Sequence, residues 1–422
     1  MMSTDRLESL LTFHPFTRLN SLLQGVAPGG AGRPLLFSVG EPQMTPPAML
    51  SEILVREAAQ WSKYPLAQGT PDFRAAAADW LRRRYHLPAG VIDADKQLLP
   101  VAGSREGLFM IALSAVPELA GGKRPVVLIP NPFYHVYAGA AAVAGAEPVF
   151  MPAAADTGFL PEIDRLTPSV LECTALAYVC SPANPQGAVA PLDYLQRWID
   201  LARRYNFVVA FDECYAEIYD RAAPVGGLEA CGRLGGDLHN VVVFHSLSKR
   251  SGVPGLRSGF VAGDARLIQR NAQLINYGGV AVPYPILAAS TALWRDEAHV
   301  EEGRARYRAN FEAAAEILGE QFGFARPAGG FFLWLDVGDG EAAARRLWAE
   351  AGIRVLPGAY MGRPDENGVN PGQRYIRVAL VYDTETTAAG LRRVRQVLSA
   401  PASPARRLSA GQDGGAQAAA PA

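Results

Sequence analysis

The sequence predicts an α/β protein with a mostly parallel central sheet, flanked by helices, and a smaller α+β domain. Between residues 97 and 262, short apolar runs of strand length alternate with helix-like stretches, which is typical of a parallel sheet covered on both faces. From about Glu297 the pattern changes to one long amphipathic segment, followed by short strands and a helix. This change indicates a separate, smaller unit.

The individual elements follow from their periodicity. After Pro191, apolar residues recur at helical spacing, which predicts a helix. Its apolar positions are Leu192, Leu195, Ile199, Ala202 and Tyr205, and those of the long helix are Val300, Tyr307, Phe311, Ala314 and Leu318. The predicted strands of the central sheet are Gln97 to Val101, Val126 to Ile129, Ala175 to Cys180, Phe207 to Phe211, Val241 to Phe244 and Gly259 to Ala262. The smaller unit continues with strands Gly330 to Val337, Ile353 to Leu356 and Tyr375 to Leu380, and a helix Glu341 to Ala351.

Length and composition suggest the domain organisation. The chain has 422 residues and is 49% hydrophobic but only 19% charged, whereas single cores stop growing near about 250 to 300 residues. We expect an N-terminal arm with part of the small domain over residues 1–50, a large domain over 51–296 and a small domain over 297–400. Residues 401–422 contain eight Ala and one large aliphatic side chain, Leu408, so we expect a disordered tail.

Charge and apolar patterning exclude several partners. With 40 Lys plus Arg against 41 Asp plus Glu, the chain has no electrostatic reason to bind nucleic acid or a membrane. The basic run Arg82 to Arg84 is interpreted as solvated charge at a helix end. No apolar run approaches the roughly 20 residues of a membrane span, and the N-terminus does not resemble a secretory signal. The four cysteines fit neither a disulfide framework nor paired metal ligands, so we expect a cytoplasmic, reduced protein without a metal.

The first candidates for a site are the residues that follow each predicted strand, because ligands of open α/β sheets bind beyond the carboxyl ends of the strands. Gly103 and Ser104 follow the first strand and open a helix whose free N–H groups suit a phosphate. The later strands are followed by an aromatic ring, an amide, a carboxylate and an amine. These candidates are Tyr134, Asn184, Asp212 with Tyr215, and Ser246 with Lys249.

Each of these residues alone has a simpler explanation, such as a helix cap, a turn, core packing or a solvated surface charge. Together they match the needs of a flat, phosphorylated pyridine aldehyde, pyridoxal phosphate. Lys249 would form a Schiff base with the aldehyde, and Asp212 would keep the ring nitrogen protonated. Tyr215 and Asn184 would both donate to the phenolate oxygen of the ring.

These residues also carry a family resemblance, which covers almost the whole chain. The chain resembles the class I and II aminotransferases of the fold-type I pyridoxal-phosphate transferases, and the resemblance implies that fold. The matching segments are Ser246 to Lys249 with Gly255 to Gly259, Ser181 to Gly187, Asp212 to Tyr215, and Tyr64 to Gly69. The spacing agrees as well, with eight residues from Lys249 to Arg257 and 120 from Arg257 to Arg377.

The resemblance implies a role for each matching residue. An amino donor would displace Lys249, whose freed amine would then move the α-proton between substrate and cofactor. Arg377 would clamp the α-carboxylate of the substrate, which the backbone of Gly40 approaches. Tyr64 would reach the phosphate of the neighbouring subunit, so the implied state is a homodimer. Phosphate contacts are implied for Ser246, Arg257 and the amides of Ser104 and Arg105, and ring stacking for Tyr134.

The resemblance also suggests a substrate. Asn276 to Val280 contains no basic residue where aspartate-specific relatives present an arginine, so a short acidic substrate is not expected. Asn131 to Tyr134, Gly255 to Gly259 and Tyr64 to Arg74 resemble the succinyldiaminopimelate aminotransferases. The implied reaction exchanges the amino group of N-succinyl-LL-2,6-diaminopimelate with 2-oxoglutarate, in lysine and cell-wall precursor synthesis. His135 departs from the family pattern and is interpreted as a packed loop residue.

Three alternatives remain open at this point. Gly278 and Gly279 permit an aminotransferase for aromatic, branched or other neutral amino acids. A fold-type I carbon–sulfur lyase would share Lys249, Asp212 and Tyr215, but would release ammonia and pyruvate without needing 2-oxoglutarate. The third alternative is a catalytically idle, ligand-binding regulator.

Overall fold

The structure is a computed structural model and describes residues 14–401. Residues 1–13 of the predicted arm and residues 402–422 of the predicted tail lie outside this range. Among the described residues, no helix is both long and apolar enough to cross a lipid bilayer.

Within the described residues, the large sheet has seven strands in the order β1-β7-β6-β5-β4-β2-β3. Strand β7 is antiparallel to both β1 and β6, and the other neighbouring strands are parallel. The predicted mostly parallel sheet is therefore confirmed. The strands are β1 (Leu98–Val101), β2 (Val126–Asn131), β3 (Glu147–Pro152), β4 (Thr174–Cys180), β5 (Val208–Asp212), β6 (Val241–Ser246) and β7 (Gly259–Gly263).

One strand of this sheet was not predicted. Strand β3 lies at the sheet edge, contains Pro148 and Pro152, and is mostly half-buried or exposed. Proline is tolerated on an edge strand because part of the backbone there needs no ladder partner. The mixture of prolines and partial exposure removes the apolar run that made the other strands recognisable.

Alternate residues of the central strands enter two different hydrophobic clusters. Val209 and Val243 belong to one cluster, whereas Ala210 and Val242 belong to the other. Because successive side chains of a strand point to opposite faces, both faces of the sheet are covered. The α-helices are Pro15–Leu22, Ala48–Arg56, Pro71–Arg84, Ser104–Ala115, His135–Val143, Pro168–Leu171, Leu192–Tyr205, Gly227–Arg233, Leu247–Arg250, Ala265–Gly278, Tyr284–Arg295, Ala298–Leu318, Gly340–Ala351 and Thr384–Ser399.

The two helices predicted from periodicity are confirmed. The helix Leu192–Tyr205 ends where Asn206 adopts a left-handed conformation, with φ of 55°. It buries Trp198 together with Leu195, Ile199 and Ala202 of the predicted stripe, whereas Leu192 and Tyr205 are half-buried. The helix Ala298–Leu318 buries all five predicted apolar positions, and all of them except Val300 belong to the hydrophobic cluster of the smaller sheet.

The smaller sheet is antiparallel and has the order β8-β10-β9, formed by β8 (Phe332–Asp336), β9 (Leu356–Pro357) and β10 (Tyr375–Ala379). The predicted strand near Ile353 is displaced along the chain. Ile353 instead forms an isolated bridge with Leu35, and Leu35 shares the hydrophobic cluster of this sheet. The N-terminal segment thus packs on the smaller sheet.

The interpretation of Arg82 to Arg84 as solvated charge is wrong for Arg84. Its Nε donates to Oε1 of Glu217 at 2.5 Å, and both side chains are largely buried. Arg304 donates to the other carboxylate oxygen of Glu217 at 2.9 Å. A buried carboxylate needs such cationic partners. Glu217 is 133 residues from Arg84 in sequence, so the local pattern around Arg84 does not indicate this pairing.

Candidate active site

A cavity of about 590 Å³ opens beyond the carboxyl ends of β2, β4, β5 and β6. It brings together ten of the twelve predicted site residues: Gly40, Ser104, Arg105, Tyr134, Asn184, Asp212, Tyr215, Lys249, Arg257 and Arg377. Ser246 and Tyr64, both within the described part of the chain, lie outside its lining. The carboxyl ends of parallel strands meet at one edge of a sheet, which explains why residues so far apart in sequence converge.

Lys249 lies in a short helix that begins directly after β6. Ser246 caps this helix, because its Oγ accepts a hydrogen bond from the backbone N–H of Ser248 at 3.1 Å. The Lys249 Nζ donates to the backbone oxygen of Gly40. Burial lowers the pKa of Lys249 to about 8, and the positive charges of Arg377 and Arg257 contribute in the same direction. The amine therefore releases its proton more readily than an ordinary lysine.

Ser246 stabilises the start of the helix that carries Lys249 and does not line the cavity. Its side chain is 2% exposed, and its Oγ donates to Oγ of Ser248 at 2.9 Å. Of these two serines, Ser248 lines the cavity. A phosphate contact from Ser246 remains a prediction.

Asp212 is the last residue of β5 and is 2% exposed. Burial raises the pKa of Asp212, while hydrogen bonds from Tyr137 and Cys214 act in the opposite direction. The Tyr137 hydroxyl donates to Oδ2 at 2.6 Å, and the backbone N–H of Cys214 donates to Oδ1 at 3.3 Å. Sequence reasoning missed Tyr137. The only available signal was its helical spacing, three residues after Tyr134.

The helix Ser104–Ala115 points its N-terminus at the cavity and follows Gly103, which has φ of 95°. A Cβ on Gly103 would lie 2.3 Å from Nη2 of Arg257, so only glycine fits there. Arg257 donates to Oε2 of Glu106 at 2.5 Å, and Arg105 donates to Oε1 at 2.9 Å. Glu106 thus fixes two arginines at a helix end suited to anions, a role that the sequence did not reveal.

Arg377 lies in β10 and is 5% exposed. Its Nη1 donates to Oδ1 of Asn184 at 2.8 Å, and its Nη2 donates to the backbone oxygen of Ser38 at 2.7 Å. Burial lowers the pKa of Arg377 to about 10. Because Oδ1 of Asn184 is the acceptor for Arg377, the donor end of that amide is turned to the other side.

Aromatic side chains and the backbone of Gly40 form another part of the cavity lining. The Tyr215 ring packs edge-on against Phe331 and Phe332 at 5.5 and 5.7 Å, and burial raises its pKa, so the hydroxyl keeps its proton. A Cβ on Gly40 would lie 2.7 Å from the Phe332 ring, so the backbone approaches closely there. Tyr134 lies between His135 and Tyr137, with ring centroids 4.8 and 5.7 Å away.

This donor set fits pyridoxal phosphate. It provides a carboxylate at Asp212, an amine at Lys249, and a helix N-terminus beside two arginines. Among the described residues, the buried Nε of Arg377 has no hydrogen-bond partner, so this guanidinium keeps a donor for an anion in the cavity.

Comparisons with known proteins agree with this geometry. The family described as "Aminotransferase class I and II" matches residues 33–394. The LL-diaminopimelate aminotransferase of Moorella thermoacetica is 31% identical over 379 residues, covering 86% of this chain and 90% of that protein. The 4-dedimethylamino-4-oxo-anhydrotetracycline transaminase OxyQ of Streptomyces rimosus is 33% identical over 360 residues, covering 85% and 92%.

Among solved structures, an aminotransferase from Neisseria meningitidis superposes with a TM-score of 0.86 at 40% identity, over 91% of this chain and 97% of that one. These matches confirm the predicted family, fold class and cofactor. The matched region contains every residue that we place at the candidate cofactor site, from Gly40 to Arg377. The chain belongs to the class I and II aminotransferases, which are pyridoxal-phosphate-dependent enzymes.

Proposed function

We propose that this aminotransferase moves the amino group of N-succinyl-LL-2,6-diaminopimelate to 2-oxoglutarate. The observation that carries the proposal is the placement of Lys249, Asp212 and Arg377 around one cavity of about 590 Å³. The cavity lining also includes Phe16 and Met361, and its volume leaves room for a long donor side chain. Relatives named for diaminopimelate lend further support to a donor of this type.

We assign the cofactor contacts as follows. The N–H groups at Ser104 and Arg105, together with Arg257, would hold the phosphate, and Asp212 would pair with the ring nitrogen. Tyr134 would cover the ring, while Tyr215 and Asn184 would donate to the ring oxygen. When bound, pyridoxal phosphate supplies an aldehyde that captures amines and a ring that accepts the electron pair left by the departing α-proton.

The residues of the chain supply positioning and proton transfer. The guanidinium of Arg377 matches the α-carboxylate of a donor or of 2-oxoglutarate through two parallel hydrogen bonds. Lys249 in its neutral form takes the α-proton from the donor and later returns it, and its lowered pKa of about 8 supports this role. Membership of the aminotransferase family favours a transaminase over the lyase and over the idle regulator.

A second candidate donor is LL-diaminopimelate itself. It is favoured by the relative from Moorella thermoacetica, named for that substrate, at 31% identity. The two donors differ only in the succinyl group at the far amine. The remaining alternative is a neutral or aromatic amino acid.

A donor panel tests the proposal. Holoenzyme is mixed with N-succinyl-LL-2,6-diaminopimelate, LL-diaminopimelate, L-phenylalanine or L-leucine, and conversion to the pyridoxamine form is followed by absorbance. We expect kcat/KM for the succinylated donor to exceed that for the others at least tenfold. A higher value for LL-diaminopimelate would transfer the assignment to the second candidate, and a higher value for the neutral donors would overturn both.

We also propose that the enzyme works as a homodimer in which Tyr64 reaches the neighbouring cofactor site. Tyr64 is 98% exposed, and the nearby Trp61 and Leu66 are 53% and 62% exposed. Three large apolar side chains exposed within six residues favour a surface that a partner covers. The cytoplasmic location stays a prediction.

A further inference from the structure

Two imidazole rings meet in the lining of the active-site cavity. His14 directly precedes the helix Pro15–Leu22, and His135 is the first residue of the helix His135–Val143. Their ring centroids lie 4.8 Å apart in an edge-to-face arrangement, with 71° between the ring planes. Both residues line the cavity, so the interpretation of His135 as a packed loop residue does not account for its position.

The charges around this pair are positive. The pKa of His135 is lowered to about 4, mainly by burial, and His14 and Arg105 contribute to this lowering by their charge. Arg377 acts in the same direction. His135 is therefore neutral at pH 7 and keeps one N–H donor. The cations that disfavour a proton on this ring would attract an anionic group placed beside it.

The wall next to the two imidazoles is apolar. Phe16, Phe133 and Met361 also line the cavity. The Phe16 ring lies 6.0 Å from the His14 ring, and the backbone N–H of Phe133 donates to the backbone oxygen of Met361 at 2.8 Å. Apolar side chains of this kind suit the methylene stem of a long donor rather than its polar end. An apolar stem that ends in a polar or anionic group would satisfy both parts of the wall.

We propose that His14 and His135 together form the subsite that recognises the far end of the donor side chain, and that it takes an anionic or hydrogen-bond-accepting group on an apolar stem. This inference rests on the proposed transaminase function and specifies its donor class. The two residues are specificity determinants, since neither is needed for proton transfer by Lys249.

L-2-aminoadipate and L-norleucine provide a matched pair of probes, because they have the same chain length and differ only in a terminal carboxylate or methyl group. The readout is the ratio of kcat/KM for aminoadipate over norleucine in the half-reaction of the holoenzyme. The variants His14→Phe and His135→Phe keep an aromatic ring but lose the N–H donor. We expect wild type to prefer aminoadipate and each variant to lower the ratio about tenfold, as for one hydrogen bond to a charged group.

Ser21→Ala is the control, since Ser21 is exposed on the helix that directly follows His14, and its hydroxyl donates only to the backbone oxygen of Thr17 among the described residues. Its ratio should match wild type. A binding measurement without turnover accompanies the kinetics: calorimetry with adipate and hexanoate should show the same loss of preference in both histidine variants. His14→Leu and His135→Leu, which also lose the N–H donor, serve if a phenylalanine variant does not fold.

Two results would overturn the inference. One is a wild type without a preference for aminoadipate, and the other is an unchanged ratio in both histidine variants, which includes an equal loss of activity with both probes. Failure of N-succinyl-LL-2,6-diaminopimelate as a donor is a separate result. It would remove the proposed substrate but leave the aminoadipate preference, and therefore the subsite, in place.

Discussion

The hydroxyl of Tyr137 donates a 2.6 Å hydrogen bond to Oδ2 of Asp212. The Tyr137 ring stacks on Tyr178 with centroids 4.4 Å apart, and the Tyr178 hydroxyl donates to the backbone oxygen of Leu108 at 2.7 Å. Leu108 belongs to the helix Ser104–Ala115, whose N-terminus faces the cavity. Tyr137 and Tyr178 therefore connect Asp212, at one end of the proposed cofactor site, to the helix at its phosphate end.

Tyr137→Phe should weaken cofactor binding. The hydrogen bond from Tyr137 lowers the pKa of Asp212, so its loss raises that pKa and weakens the charged partner of the ring nitrogen. We expect about a tenfold loss in cofactor affinity and a similar loss in kcat, as for one hydrogen bond to a charged group. Absorbance titration of cofactor-free protein measures the affinity.

The control for this prediction is Tyr178→Phe, which removes the bond to Leu108 but leaves the partners of Asp212 in place. We expect its cofactor affinity to stay closer to wild type. Equal losses in the two variants would show that Tyr137 acts only through packing.

Cofactor capture should depend on pH through Lys249. Its pKa is lowered to about 8, so the amine is protonated below that pH and neutral above it. Since only the neutral amine attacks an aldehyde, the capture rate should rise ~10-fold per pH unit below 8 and level off above it. Stopped-flow absorbance of cofactor-free protein with pyridoxal phosphate gives this profile. A rate that keeps rising to pH 10 would contradict the lowered pKa, and Lys249→Ala should show no capture.

Arg377→Lys should impair the use of amino acids while leaving the cofactor absorbance intact. Lysine cannot reproduce the planar two-bond match to a carboxylate, so we expect kcat/KM to fall about 100-fold. Arg374→Lys is a matched control, because Arg374 lies three residues earlier and pairs with Asp336 at the surface. Loss of the chromophore in Arg377→Lys would mean that this arginine serves the cofactor instead.

Mixed dimers test the placement of Tyr64. Chains with Lys249→Ala are combined with chains carrying Tyr64→Ala, after each alone has been shown to have low activity. If Tyr64 completes the neighbouring site, each mixed dimer contains one intact site, and activity should return to about a quarter of wild type after random reassociation. The absence of recovery, with mixed dimers verified by mass, would place Tyr64 outside the partner's site.

The sequence determined the fold class and the location of the site. Apolar runs separated by helical stretches specify a parallel sheet, and a parallel sheet gathers the residues at its strand ends. Asp212, Asn184 and Lys249 could therefore be assigned to one edge before any contact was known. The edge strand β3 escaped prediction because its prolines and partial exposure erase the apolar run.

Tertiary structure alone decided which side chains pair within and around that site. Tyr137 with Asp212, His14 with His135, and Arg84 with Glu217 are separated by 75, 121 and 133 residues, respectively. Periodicity records which face of an element is buried, but it does not record what lies opposite that face. Such partners become adjacent only when separate elements pack together, and packing depends on the shape of the whole core.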